Sequence, residues 1–261
     1  MKKKVKSFGE LVKEKRVSTV AGAWVFYFLI SLLPLLFLFV TAFGVLGVDV
    51  SKEMVFSIPK TLQGTANSLI RTAGNASKGV TAFFIIAVVF SASTLLTQMS
   101  KDGEYIYGLK NKNRKGIFRR VWAITSLAIL FALFLSFALL FVFKKAVFSY
   151  FGVNASPLVV ITAIFFTLLL SYAIIILLEK FISPVRLPFG ISFAGAGVTF
   201  IIIAVGTALF TLYLNTFRFT GAFYGSLTGV IVFIIWAYIL MLSLVLGSMV
   251  NVSLYKKRQK S

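Results

Sequence analysis

Six uncharged stretches, residues 20–48, 79–100, 121–143, 158–178, 189–214 and 225–250, consist almost wholly of Phe, Leu, Ile, Val, Ala, Gly and hydroxyl residues. A helix of about 20 apolar residues crosses the hydrocarbon core of a bilayer, and each stretch reaches that length. Inside lipid every backbone N–H and C=O must find its partner within the protein, which a helix achieves within one segment. The stretches do not alternate with a period of two, as the strands of a membrane barrel, about ten residues each, would. A chain with 59% hydrophobic and 13% charged residues also lacks the polar surface that a water-soluble fold of 261 residues presents. The sequence predicts an all-α integral membrane protein with six transmembrane helices.

Basic residues set the direction of threading, because Lys and Arg accumulate in loops that stay cytoplasmic. Segments 1–19, 101–120, 179–188 and 251–261 carry 7, 7, 2 and 4 of them, 20 in all. Segments 49–78, 144–157 and 215–224 carry 4, 2 and 1, 7 in all. Both termini are therefore expected in the cytoplasm, with 1–19 a basic amphipathic segment, 20–250 the transmembrane domain and 251–261 a basic tail. The net charge of +20 then reads as an imprint of membrane insertion. Anionic lipid at the cytoplasmic face is the expected partner, and nucleic acid is not.

Two segments have an apolar face without the length to span. In 49–78, Leu62, Ala66, Leu69, Ile70 and Ala73 share one helical face. That pattern fits an amphipathic helix on the outer interface or a lid over an external cavity. Near the N-terminus Val5, Phe8, Leu11 and Val12 lie among lysines, as in a helix on the inner surface. The apolar run after it is too long for a signal peptide and has no small-residue cleavage site, so retention is expected.

Without Cys or His, thiol chemistry, Cys/His metal sites and imidazole catalysis are excluded. The seven acids are Glu10, Glu14, Asp49, Glu53, Asp102, Glu104 and Glu179, and none lies in the middle of an apolar run. Glu179, next to Lys180 and near Arg186, reads as half of an interfacial ion pair, and is otherwise the best candidate for the carboxylate of a proton-coupled carrier. No catalytic residue, metal or cofactor is expected, and the chain does not read as an enzyme.

Candidate functional positions come from irregularities within the spans. Pro34, three residues after Ser31, removes an amide from the first helix and predicts a kink that packs or lines a cavity. In the second span Ser91, Ser93, Thr94, Thr97 and Gln98 either line a wet path or bond back to carbonyls one turn earlier. In the last span Gly225 and Gly229 continue a small-residue strip from Gly221 that allows close helix approach. Gly247 and Asn251 carry small or polar character to its inner end.

Three runs together, AGAWVFYFLISLLPLLFL from Ala21, SASTLLTQMSKDGEYIYGL from Ser91 and YGSLTGVIVFIIWAYILMLSLVLGSMVN from Tyr224, span most of the chain in order. In them the sequence resembles the YihY/BrkB family of bacterial inner-membrane proteins, once labelled ribonuclease BN-like. The resemblance implies a bacterial inner-membrane location and a fold proposed for transport, and brings no catalytic role. It marks Tyr27, Ser31 and Pro34 in the first span, and Tyr224, Gly225, Trp236, Tyr238, Gly247 and Asn251 in the last. The family's last span commonly ends Gly-Ala-Glu-x-Asn, whereas here it reads Gly247-Ser248-Met249-Val250-Asn251, without the carboxylate.

Three function classes follow. A permease-like protein would bind a small solute or lipid between the kinked first span, the polar second and the glycine-bearing sixth. A lipid-binding scaffold of the envelope would use the basic inner surface instead. A ribonuclease would need clustered carboxylates or His, which this sequence does not supply.

Overall fold

A computed structural model of the chain describes residues 8–45, 78–110, 118–130, 132, 157–216 and 225–259. Regular structure among them is helical, with no strand. The helices are α1 (Phe8–Glu14), α2 (Val17–Val45) and α3 (Lys78–Tyr107). They continue with α4 (118–130), α5 (Pro157–Ile182), α6 (Phe189–Thr216) and α7 (Gly225–Arg258). The amphipathic reading of 49–77, Tyr224 and the later half of the third apolar run lie outside the described residues.

Four helices among the described residues are long and apolar enough to cross a membrane: Ala82–Tyr107, Phe165–Ile182, Phe189–Tyr213 and Val230–Arg258, with a shorter apolar stretch at Val17–Leu32. Their outward faces are apolar. On α6, Ile201, Val205, Leu209 and Leu212 recur at helical spacing and are all exposed, as are Phe83, Ile86 and Phe90 on α3. Continuous exposed stripes of this kind call for lipid, not water. At 34 residues α7 extends about 51 Å, beyond the ~30 Å hydrocarbon core, so Lys256, Lys257 and Arg258 in its last turn reach a polar interface.

The helices pack as two units. The first contains α1, α3 from Met99, α4, α5, α6 to Phe200 and α7 from Leu246. Its largest fully buried side chains include Met99, Ile106, Tyr107, Ile182 and Met249, and also Glu179 and Asn251. The second contains α2, α3 to Gln98, α6 from Ile201 and α7 to Val245. Trp24, Val88, Leu96, Ala237 and Val245 are buried there, Phe37 stacks on Phe84 at 3.7 Å, and Phe28 stacks on Phe233 at 6.4 Å.

Among the described residues two turns have positive φ. Arg16 (φ 47°) joins α1 to α2, and its carbonyl accepts the amides of Thr19 and Val20. At the end of α3, Gly108 (φ 68°) follows Tyr107, and the Leu109 amide bonds the Glu104 carbonyl at 3.2 Å. That six-to-one bond closes a Schellman motif, where glycine avoids the steric penalty of a Cβ, and it sets Tyr107 at the helix end.

Candidate functional site

In the first unit, Glu179 lies one turn before the end of α5 and is 0% exposed. Thr199 of α6 donates to Oε1 at 2.9 Å. From α7, Ser248 donates to Oε2 at 2.8 Å and Asn251 Nδ2 to the same oxygen at 3.1 Å. Three neutral donors from two other helices thus hold a carboxylate inside the bundle.

Two glycines make room for this arrangement. A Cβ on Gly247 would collide with Thr199 Oγ1, Glu179 Oε1 and the Gly195 carbonyl. One on Gly195 would overlap the Asn251 amide. Gly247 therefore serves close packing around a polar group, in keeping with its small-residue reading but at a site the sequence did not indicate.

Two buried polar atoms beside the carboxylate lack a partner: the Tyr107 hydroxyl and Asn251 Oδ1. The Tyr107 hydroxyl lies next to Ser183 and Asn251 without an aligned bond to either, and Glu179 is close enough to act on it electrostatically. The Ser183 hydroxyl is committed to the Val185 carbonyl at 2.8 Å. A buried donor and a buried acceptor, each without a bond, thus lie in the neighbourhood of this carboxylate.

The expected ion pair of Glu179 with Lys180 or Arg186 does not form. Consecutive helical residues point about 100° apart, so a helix that buries Glu179 turns Lys180 outward. Lys180 Nζ sits over the Phe189 ring at 5.5 Å, and Arg186 makes no ion pair among the described residues. Glu104 bonds Arg119 instead.

Near Ser183 a cavity of about 860 Å³ opens between α4, the end of α5 and the 183–188 linker. Trp122, Ser126 and Leu130 line one wall, and Leu177, Lys180 and Arg186 line the other.

The other sequence candidates fall in the second unit. Pro34 is inside α2, which continues through it without unwinding, and Ser31 donates to the Phe28 carbonyl at 2.8 Å. Ser91 bonds the Ala87 carbonyl at 2.7 Å, and Thr94 bonds that of Phe90 at 2.8 Å. Ser91, Ser93 and Thr94 follow the back-bonding alternative, whereas the buried Thr97 hydroxyl has no partner. Gln98 is half-buried, Tyr27 meets Phe26 edge to face, and Trp236 lies against Phe233 at 6.0 Å. Gly225 and Gly229 occupy the first turns of α7. Tyr238, marked by the resemblance, shares a 2.8 Å hydrogen bond with Ser18.

Of the candidates among the described residues, the structure brings Gly247 and Asn251 to Glu179. Sequence reasoning missed Tyr107, Thr199 and Ser248, and of its two readings of Glu179 the ion pair fails. One signal was available: along alternately directed spans, Glu179 and Asn251 both come near the same end. Ser248 and Asn251 of the last helix thus bond a carboxylate supplied by α5.

Comparison with known proteins agrees with the earlier resemblance. The sequence profile described as Virulence factor BrkB matches residues 10–261. YfkH of Bacillus subtilis (strain 168), whose name styles it a ribonuclease-like protein, is 26% identical over 246 residues, covering 90% of this chain and 88% of YfkH. No solved structure matches the chain.

Proposed function

The chain belongs to the BrkB family, and we propose that it is a permease-like protein of the bacterial inner membrane that moves a small solute, with Glu179 taking a cation. That cation is the solute's own charged group or an ion moved with it. Six transmembrane helices with both termini cytoplasmic complete the reading, supported by the apolar runs and by the 20-to-7 division of basic residues.

One observation carries it. A carboxylate buried at the end of a membrane helix without a positive partner is costly to keep, and such a group marks an ion or substrate path when it faces the bundle. Glu179 is such a group, and among the described residues its bonds come from neutral donors alone. Asn251 Oδ1, buried and unpaired beside it, offers the same cation a second oxygen. A ribonuclease reading draws no comparable support, since the chain has no His and the described residues gather no group of three His, Cys, Asp or Glu.

The test is flux into liposomes containing the purified full chain, across sodium, potassium, protons, small amines and amino acids. At least one class should move above background. Glu179→Gln keeps the size and removes the charge, and should lower that flux at least about tenfold. Background flux for every class, or a Glu179→Gln protein as active as the parent, would overturn the reading.

A further inference from the structure

The cavity beside α5 has a chemistry of its own. Lys180 and Arg186 stand at one end, where the apolar run of α5 stops, while Leu130 and Leu177 form apolar walls. Neither cation makes an ion pair among the described residues, and Lys180 Nζ lies over the Phe189 ring at 5.5 Å. Trp122, 52% exposed, sits at the rim, the depth at which indoles favour the boundary between headgroups and chains.

The open side of the cavity separates a lipid from a soluble anion. Leu177 and Ile129 are exposed as well as lining it, so the apolar wall continues into the helix surface. A free phosphate or nucleotide would engage the cations and leave that wall in contact with water or unfilled. An amphiphile satisfies both ends at once. The volume of about 860 Å³ lies within the range of sites for whole small molecules.

We propose that this cavity is a specific site for an anionic phospholipid, its phosphate held by Lys180 and Arg186 with Ser126 in reach, and its chains lying along Leu130 and Leu177. Arg186 offers a planar two-pronged donor and Lys180 a point charge, a pairing suited to phosphate oxygens. The site is independent of cation binding at Glu179, and a protein that fails the flux test can still possess it.

Native mass spectrometry of the full chain, titrated with phosphatidylglycerol, phosphatidylcholine and inorganic phosphate, tests the proposal. The parent should retain one phosphatidylglycerol in preference to phosphatidylcholine. Lys180→Gln with Arg186→Gln should weaken that binding about 30-fold. Lys256→Gln with Lys257→Gln, which removes as much charge from an exposed helix end, should leave it unchanged. Leu177→Trp keeps both cations, fills the apolar wall and should also displace the lipid. Equal binding of the two lipids, equal loss in the Lys256/Lys257 variant, retention by Leu177→Trp, or inorganic phosphate binding as tightly as the lipid would each overturn it.

Discussion

A set of hydroxyls in the second unit and the Glu179 cluster in the first are satisfied in different ways. In the second, the hydroxyls of Ser31, Ser91, Ser93, Thr94 and Ser243 donate to carbonyls three or four residues earlier in their own helices. In the first, Thr199, Ser248 and Asn251 reach across helices to Glu179. The difference follows from what a helix has to spare. Its interior amides are used by the backbone, but each carbonyl oxygen keeps a second lone pair. A donor such as Ser or Thr can therefore be satisfied locally, whereas an acceptor such as a carboxylate cannot. Glu179 must recruit donors from elsewhere, which ties the packing of α5, α6 and α7 together and leaves the second unit's hydroxyls free of that constraint.

This contrast can be broken or sharpened by substitution. The largest effect is expected at Gly247→Val, whose side chain would occupy the space of Thr199, Glu179 and the Gly195 carbonyl. Thermal unfolding in detergent should show a loss of about 3 kcal/mol, and a stability equal to the parent's would show that the cluster tolerates rearrangement. A smaller loss, about 1 kcal/mol, is expected from Gly108→Ala, because φ of 68° is unfavourable for any residue with a Cβ. Smallest of all, Ser91→Ala, Ser93→Ala and Thr94→Val should each change stability by less than about 0.5 kcal/mol and leave flux at the parent level. Loss of flux in one of these would return the second unit's hydroxyls to the transport path.

The helices were legible because lipid imposes a simple rule. A run without charges, long enough to span, has one backbone solution, so α3, α5, α6 and α7 could be located from composition and length. The candidate site was legible only in part. Gly247 and Asn251 stood out as small and polar residues at the end of an apolar run. Thr199 was one hydroxyl among many in the spans, and nothing local distinguishes it from Thr211, which bonds back to Thr207. Glu179 was read with its chain neighbours, but a helix turns neighbouring side chains to different faces. Pro34 drew attention as a kink or local unwinding, and α2 runs through it without unwinding.

What the sequence determined by itself is the solvent and the secondary structure, since hydropathy and backbone satisfaction are properties of each segment taken alone. Which polar groups meet was decided by tertiary structure. The bonds on Glu179 join positions 20, 69 and 72 residues apart, and each depends on the rotation and approach of a second helix. The approach is set by the glycines at 195 and 247, whose missing side chains leave no trace of their neighbours in the sequence.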